Sequence, residues 1–296
     1  NQSRNILLKN NNEKNKNHIQ AIDIYVLNIF FRFRHRHCPK QVMTTQLNME
    51  KAMTNKDAFE AFKNKMVAEG LPDIAIDNFR YYYQQLAEGV NGMIPESSIE
   101  PIDSVTHANQ LHPLYHQAGE DALSKTVMIK LNGGLGTSMG LEKAKSLIKV
   151  KGNKSFLDII AEQSLHSDVP LVLMNSFSTN DDSINSLEKY TDLRSNNNLF
   201  SFLQHKVPKV SQSNLSPAES FEENNLEWCP PGHGDLYSAL LTSGTLSRLI
   251  NTGHKYAFIS NSDNLGAVLD KSILGYFSMH NMSMLMEVAD RTEADK

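Results

Sequence analysis

The segment TVMIKLNGGLGTSMG, residues 126–140, joins a run of apolar residues directly to a glycine-rich stretch. The run at 126–131 predicts a buried strand. Four glycines within the eight positions from Gly133 to Gly140 let the backbone turn tightly and bring its N–H groups against an anion without obstruction by Cβ atoms. A strand that leads straight into such a loop favours a phosphate-binding loop over a flexible surface turn.

The sequence after this loop alternates between helix and strand patterns. Ser155 followed by Asp158 forms a capping-box pattern and predicts the start of a helix. The remaining predicted elements are a strand at 170–174, a helix at 234–250 and strands at 256–260 and 283–288. We therefore predict an α/β, Rossmann-like fold, with a mostly parallel mixed sheet, helices on both faces and ligands bound beyond the carboxyl ends of the strands.

Two regions precede this domain. Residues 1–42 are rich in Asn and contain an apolar run at 21–33 that is too short and too polar to span a bilayer, so we interpret them as a disordered or non-native segment. The predicted organisation is completed by an N-terminal helical region at 43–120 and a nucleotidyltransferase catalytic domain at 121–296.

The helical region carries two helix patterns. Thr54 and Asp57 resemble a capping box and predict the start of the first helix. The second is expected at 74–86, with an apolar stripe of Ile76, Phe79, Tyr83 and Leu86. The consecutive tyrosines at 81–83 are predicted to pack in the core, because neighbouring residues on a helix point in different directions and form no stacking platform.

Composition limits the classes of function. Lys and Arg total 29 against 33 for Asp and Glu, and the formal net charge is −4, so no basic surplus indicates a nucleic-acid partner. No segment has the length and apolarity of a membrane span or a secretory signal. The two cysteines, Cys38 and Cys229, lack metal-type spacing and favour a reducing, cytoplasmic location.

Two common nucleotide motifs do not fit the glycine-rich loop. A P-loop would need glycines where Met139 and Ala144 stand. A dinucleotide-binding loop would need an acidic residue after the second strand, where the sequence has Met174, Asn175 and Ser176. A dinucleotide oxidoreductase is therefore disfavoured.

Four segments in a fixed order carry a resemblance to a known family. They are LNGGLGTSMG at 131–140 followed by Lys145 and Ser146, FLQ at 202–204, PPGHGD at 230–235 and SNSDNLG at 260–266. Over roughly Phe59 to the C-terminus the chain resembles the eukaryotic-type UDP-glucose pyrophosphorylases, which have the nucleotide-diphospho-sugar transferase fold. The related UDP-N-acetylhexosamine pyrophosphorylases typically carry Arg where Ser138 or Met139 stands, which favours the glucose branch.

The resemblance implies a Mg²⁺-dependent uridylyl transfer. In that reaction a phosphate oxygen of glucose-1-phosphate attacks the α-phosphorus of UTP, which yields UDP-glucose and pyrophosphate. Catalysis then depends on alignment of the reacting groups and on neutralising charge. A UDP-N-acetylhexosamine or broad UDP-sugar pyrophosphorylase and an inactive nucleotide-binding fragment are the alternatives.

The resemblance also assigns residues. Lys145, His233 and Asp263 are the expected catalytic residues, and Asp263 is the expected metal ligand. Gln204 resembles a uracil reader, since its amide offers both a donor and an acceptor. We interpret Asp235 as a helix N-cap without a chemical role. The full set of expected substrate-binding residues is Leu131, Asn132, Gly133, Gly134, Lys145, Gln204, Gly232, His233, Asn261, Ser262 and Asp263.

The resemblance has one departure at the end of the chain. Family members continue past Lys296, where they add a second phosphate-contacting lysine and a C-terminal β-helix that is often used in oligomerisation. We therefore expect this chain to lack the β-helix and to have very low turnover by itself, and we expect a homo-oligomer to be a property of the full-length protein.

Overall fold

The structure is a computed structural model. It describes residues 4–9, 25–32, 49–90, 92–100, 104–135, 143–195, 198–220 and 224–289, and no side chains before residue 59. The chain divides into two compact units, which we call the sheet unit (Asn1–Arg34, Ile94–Leu203 and Gly244–Lys296) and the helical unit (His35–Met93 and Gln204–Ser243). Residues 94–120 thus group with the sheet and residues 204–243 with the first helices, unlike the predicted boundaries at 43–120 and 121–296.

The described residues of the sheet unit form a mixed sheet of eight strands: β1 (Arg4–Lys9), β2 (Tyr25–Arg32), β3 (Thr106–His107), β4 (Thr126–Asn132), β7 (Leu171–Asn175), β8 (Leu199–Leu203), β11 (Tyr256–Asn261) and β12 (Met284–Ala289). Their order in the sheet is β3-β1-β12-β2-β11-β4-β7-β8. A separate hairpin pairs β5 (Lys149–Lys151) with β6 (Lys154–Ser155). The predicted α/β fold is confirmed.

Four neighbouring strands, β11, β4, β7 and β8, are parallel and form one end of the sheet, with β8 at its edge. All five residues of β7 are buried, as are five of the six in β11. Near-continuous burial is expected where helices cover both faces of a parallel sheet, and it accounts for the unbroken apolar runs in these strands. The carboxyl ends of β4 and β11 consequently lie side by side, with Leu131 opposite Asn261.

Residues 1–42 contribute strands that the sequence did not predict. β2 pairs with both β11 and β12, and β1 pairs with β12 and β3, in every case antiparallel. β2 forms between β11 and β12 because the backbone N–H and C=O groups along one edge of each strand need hydrogen-bond partners, which β2 provides. Whether the segment is native stays a prediction.

Helices in the sheet unit are α3 (Leu114–Leu123), α4 (Phe156–Ser167), α5 (Asn180–Leu187), α6 (Thr191–Ser195), α8 (Thr245–Asn251) and α9 (Lys271–Met279). The capping box predicted for α4 is confirmed: the Asp158 N–H donates to Ser155 Oγ at 3.1 Å, and the Ser155 N–H donates to Asp158 Oδ2 at 2.8 Å. These reciprocal bonds satisfy two of the N–H groups that a helix start leaves without a partner.

The helical unit contains α1 (Met49–Ala68), α2 (Asp73–Ala87), α7 (Leu236–Thr242) and a small hairpin of β9 (Val207–Pro208) with β10 (Trp228–Cys229). Thr54 lies inside α1, so the prediction that it begins the helix is wrong. Lys65 of α1 forms an ion pair with Glu227. Among the described residues, no helix has the length and apolar character needed to cross a membrane.

Two further sequence predictions need correction. Leu86 of α2 is 48% exposed, and of the three tyrosines at 81–83 only Tyr83 is buried. The single helix predicted at 234–250 is two helices, α7 and α8, because Gly244 between them has a φ of 75°. Left-handed backbone of this kind ends a helix and is favoured at glycine.

Helices α3 and α9 pack at unusually short range. A Cβ atom added to Gly275 would lie 1.8 Å from the carbonyl oxygen of Tyr115, and one added to Gly119 would lie 1.8 Å from that of Lys271. Both obstacles are backbone atoms, which cannot rotate away as a side chain could. The two glycines therefore set the distance between the helices.

We predict that Gly275→Ala destabilises the protein by about 3 kcal/mol or more, because the new methyl group must force the two helices apart. Urea denaturation of the variant and the unsubstituted protein measures this difference. Ser272→Ala, which adds no atoms to the same helix, is the control and should change the free energy of unfolding by less than about 0.5 kcal/mol. Similar small changes for both variants would contradict the account of the α3–α9 contact.

Candidate functional site

The predicted site residues fall into two groups, one in each unit. The sheet unit carries the residues expected to bind phosphate and metal: Leu131, Asn132, Gly133, Gly134, Lys145, Asn261, Ser262 and Asp263. The helical unit carries Gln204, Gly232 and His233, which are expected to bind the base and the α-phosphate. Residues 136–142 of the glycine-rich loop lie outside the described residues.

At the end of β4, backbone carbonyl oxygens already accept hydrogen bonds within the protein, whereas backbone N–H groups remain available as donors. The carbonyl oxygen of Leu131 accepts from the Ser262 N–H at 3.1 Å, and that of Gly134 accepts from the Lys145 N–H at 3.1 Å. By contrast, the N–H groups of Gly133 and Gly134 donate to no other described residue. Such donors at the end of a buried strand are suited to bind an anion.

A buried polar cluster fixes Asn132 beneath this donor pair. Its side-chain amide donates to Asn175 Oδ1 at 2.7 Å and to Ser183 Oγ at 2.8 Å, and its carbonyl oxygen accepts from the Thr179 hydroxyl at 2.7 Å. All four residues are almost completely buried. The Asn132 side chain is therefore a structural part of the strand end and is not available to a nucleotide.

Lys145 lies at the other end of the glycine-rich loop. An antiparallel bridge between Leu135 and Ala144 closes the base of the loop and brings Lys145 back to β4. Its Nζ is 3.7 Å from Asp263 Oδ2, and the two side chains are 38% and 42% exposed. An ion pair this exposed contributes about 1 kcal/mol or less, so the two charges can separate readily to meet a phosphate and a cation.

The loop after β11 holds Asp263. Its N-terminal side is fixed to β4 by the Ser262 N–H, and Ser262 is itself buried. Lys130 of β4 holds the loop at both ends, because its ammonium donates to Ser260 Oγ at 2.7 Å and to the Ala267 carbonyl oxygen at 3.2 Å. Asn261 and Asp263 project from this fixed base and are exposed.

Lys130 is a fully buried lysine that the sequence analysis did not single out. Burial lowers the pKa of its ammonium from 10.5 to about 8, because the charged form loses hydration. The Phe258 ring, whose centroid is 5.6 Å from Nζ, offsets part of this loss. No local sequence pattern marks its role, since a lysine within an apolar strand is usually expected to face solvent.

In the helical unit, Gln204 is buried yet its side chain is not used by the fold. It is 6% exposed, and its amide makes no hydrogen bond to any described residue. Its amide atoms are not among the fully buried side-chain atoms that lack a partner, so they reach the surface and are accessible to a ligand.

Gly232 and His233 form a turn before α7. Gly232 has a φ of 102°, which a residue with a Cβ adopts only with strain, so glycine is required here on conformational grounds alone. His233 begins a short 3₁₀ turn and is exposed. Its imidazole is therefore accessible to a ligand.

Asp235 stands at the N-cap position of α7, as predicted, but its side chain makes no capping bond to the helix backbone. Its carboxylate instead accepts the backbone N–H of His205 at 2.6 Å and the His205 Nδ1–H at 2.8 Å. The interpretation of Asp235 as a simple cap is wrong, because the partner that it binds lies 30 residues away in sequence.

A cavity of about 420 Å³ lies within the helical unit. Its walls combine aromatic residues of α2, Phe79 and Tyr82, with Pro231 and the His205–Asp235 pair. Tyr82 was predicted to be in the core and instead lines this cavity. Residues that flank the Gly232–His233 turn in the sequence therefore line part of this cavity.

Comparison with known proteins identifies the family. A family model described as UTP--glucose-1-phosphate uridylyltransferase matches residues 76–296, which is most of the chain. The chain belongs to this family. The resemblance inferred from the four sequence segments is therefore confirmed.

Individual members of the UTP--glucose-1-phosphate uridylyltransferase family are similar over much of the chain. UTP--glucose-1-phosphate uridylyltransferase 2 of Dictyostelium discoideum is 41% identical over 204 residues, which cover 66% of this chain and 40% of that protein. The probable UTP--glucose-1-phosphate uridylyltransferase of Schizosaccharomyces pombe is 37% identical over 269 residues, covering 86% and 50%. The chain therefore spans about half the length of these relatives or less.

Solved structures of the family share the fold. UDP-glucose pyrophosphorylase from Leishmania major has a TM-score of 0.68 and 36% identity over 76% of this chain and 48% of that chain. A variant of the same enzyme solved in complex with UDP-glucose also has a TM-score of 0.68, over 81% of this chain and 51% of that one. The protein from Trypanosoma brucei is 40% identical, with a TM-score of 0.66 over 76% and 48%.

The donor set at the sheet edge fits Mg²⁺ bound jointly with phosphate. The exposed carboxylate of Asp263 supplies a hard oxygen ligand, and Mg²⁺ needs only one or two carboxylates when substrate phosphates and water complete its shell. Within the described residues, no group of three His, Cys, Asp or Glu forms an all-protein site. The residues therefore suit a metal that arrives with a nucleotide.

We predict that Lys130 makes stability rise with pH. Below pH 8 both the folded and unfolded states are protonated at this lysine and the folded state bears the full desolvation penalty, whereas above 10.5 neither is charged. Between these values the unfolded state holds more protons, so the free energy of unfolding should rise by up to about 1.4 kcal/mol per pH unit.

Urea denaturation between pH 7.5 and 10.5 gives the free energy of unfolding of the unsubstituted protein and of Lys130→Met. The difference between the two values at each pH measures the contribution of Lys130. The variant should lose the rise, while exposed Lys149→Met should retain it. Parallel pH profiles for the protein and Lys130→Met would contradict a buried, partly deprotonated Lys130.

Proposed function

We propose that this chain forms the nucleotide-binding part of a Mg²⁺-dependent uridylyltransferase that makes UDP-glucose and pyrophosphate from UTP and glucose-1-phosphate. The observation that carries the proposal is the sheet-unit group, in which two glycine N–H donors without partners among the described residues share a strand end with the Lys145–Asp263 pair. Family membership supports the choice of reaction. Because the relatives are about twice as long, the proposed activity belongs to the whole protein.

The proposed chemistry is an in-line displacement at the α-phosphorus of UTP. A phosphate oxygen of glucose-1-phosphate forms the new P–O bond as the bond to the bridging oxygen of pyrophosphate breaks. The Gly133 and Gly134 N–H groups and the Lys145 ammonium would hold the phosphates and offset charge on their oxygens. A Mg²⁺ ion held by Asp263 would supply further charge neutralisation when bound.

The helical-unit residues have proposed roles of their own. Gln204, which has an unused amide, would pair with the uracil edge, and exposed His233 would donate to the α-phosphate or to the incoming sugar phosphate. Asn261 and Ser262 are proposed to contact the substrate beside Asp263. Cytoplasmic location and homo-oligomerisation of the full-length protein stay predictions.

Two measurements on one sample test the proposal. Calorimetric titration with UTP, with and without Mg²⁺, should detect Mg²⁺-sensitive binding that ATP and GTP do not reproduce. Pyrophosphate release in the presence of glucose-1-phosphate should then be measured on the chain and on the full-length protein. Absence of uridine-nucleotide binding, or of pyrophosphate release by the full-length protein, would contradict the proposed function.

We predict that Lys145→Ala lowers the rate of pyrophosphate release by about 100-fold or more in the full-length protein, since its ammonium offsets charge that builds during transfer. Steady-state rates with saturating UTP and glucose-1-phosphate measure the effect. Lys149→Ala removes an exposed lysine from the neighbouring hairpin and should leave the rate within about twofold. Equal rates for the two variants would remove Lys145 from the proposed site.

A further inference from the structure

The His205–Asp235 pair is the centre of a hydrogen-bond network next to the predicted uridine-binding residues of the helical unit. Asp235 accepts both the backbone N–H and the ring Nδ1–H of His205, and it also accepts the Ser238 hydroxyl at 2.8 Å. On the far side of the ring, His205 Nε2 is 2.9 Å from Thr242 Oγ1. The side chains of His205 and Asp235 are only 9% and 7% exposed.

The donor roles in this network fix the orientation of the ring. A carboxylate is only an acceptor, so Nδ1 must carry a hydrogen and donate to Asp235. With Thr242 on the opposite side, neither rotation nor flipping of the imidazole preserves the contacts. Asp235 stands at the N-cap position of α7, and Ser238 and Thr242 lie within this helix. One short segment therefore holds His205 in place.

The network joins the two sequence segments that carry the predicted helical-unit site. His205 is the residue after Gln204, and Asp235 is two residues after His233. The Asp235 carboxylate accepts two hydrogen bonds from His205, one from the backbone N–H and one from the ring. These bonds therefore fix the chain at Gln204 relative to the Gly232–His233 turn. Gln204 has no hydrogen bond of its own among the described residues, so its placement depends on its neighbours.

The chemistry of base recognition requires such fixed placement. Uracil presents an acceptor and an N–H donor on its pairing edge, whereas cytosine presents an amino donor and an acceptor in the opposite order. A glutamine amide can meet either arrangement by turning over, since its oxygen and nitrogen ends differ only in hydrogen-bonding character. Discrimination between the two bases therefore requires that the amide be prevented from reorienting.

We propose that Asp235 and His205 are positioning residues that give Gln204 its preference for uracil over cytosine. The inference rests on the proposed function, in which Gln204 reads the base. Neither residue need touch the nucleotide. Their effect acts through the backbone at His205, which the Asp235 carboxylate holds directly.

The test measures the ratio of CTP to UTP dissociation constants by calorimetry on this chain, with inorganic pyrophosphate as a probe of the phosphate site. The variants are Asp235→Ala, which removes both bonds to His205, and His205→Ala, which keeps the bond to the backbone N–H. Gln204→Ala and the double variant Gln204→Ala with Asp235→Ala complete a mutant cycle. Asp270→Ala, which removes the N-cap of α9 in the sheet unit, controls for general destabilisation.

We expect the UTP preference to fall about tenfold in Asp235→Ala and about threefold in His205→Ala, with pyrophosphate affinity unchanged within about twofold. In the Gln204→Ala background, Asp235→Ala should have no further effect on the ratio. The Asp270→Ala control should retain the full preference. If Asp235→Ala does not fold, the inference is tested by the threefold fall in UTP preference that is expected for His205→Ala.

Two outcomes overturn the inference and are distinguishable from each other. An unchanged ratio in Asp235→Ala and His205→Ala, or additive effects in the double variant, would refute the positioning role while leaving the proposed function intact. No preference for UTP in the unsubstituted protein would refute base reading by Gln204 and the inference together.

Discussion

Parallel pairing of β4 with β11 is the constraint on which the rest of the sheet unit depends. It aligns Leu131 with Asn261, so that the glycines after one strand and Asp263 after the other reach the same edge of the sheet. The pairing uses the carbonyl oxygen of Leu131 to anchor Ser262 and leaves the N–H groups of Gly133 and Gly134 without partners among the described residues. The exposed backbone donors at this edge thus follow from the strand register itself.

The same register explains why a lysine is tolerated in the core. Lys130 lies next to Leu131 on β4, and its ammonium bonds to residues at both ends of the loop that carries Asp263. A buried charge opposes folding unless hydrogen bonds compensate it. The hydrogen bonds that offset the loss of hydration of Lys130 are the same bonds that hold the proposed metal-binding loop in place. Stability and site geometry are coupled through one side chain.

Local sequence patterns predicted the elements whose causes are local. The apolar runs of β4, β7 and β11 and the Ser155–Asp158 capping box needed only neighbouring residues, and their strands and helix were correctly predicted. Partners distant in sequence were not predictable in this way. β2 depends on the edges of β11 and β12, and the Asp235–His205 bond joins residues 30 positions apart. The break at Gly244 was missed because helix-forming residues lie on both sides of it.

We propose that the ends of β4 and β11 bind the phosphates of a uridine nucleotide together with a divalent cation. Crystals of the protein grown with UTP and Mn²⁺ test it most directly, because manganese can be located by its anomalous scattering. We expect a manganese peak within about 2.3 Å of an Asp263 carboxylate oxygen, and phosphate oxygens within hydrogen-bond distance of the Gly133 and Gly134 N–H groups and Lys145 Nζ. Nucleotide and metal bound elsewhere, with these groups free, would contradict it.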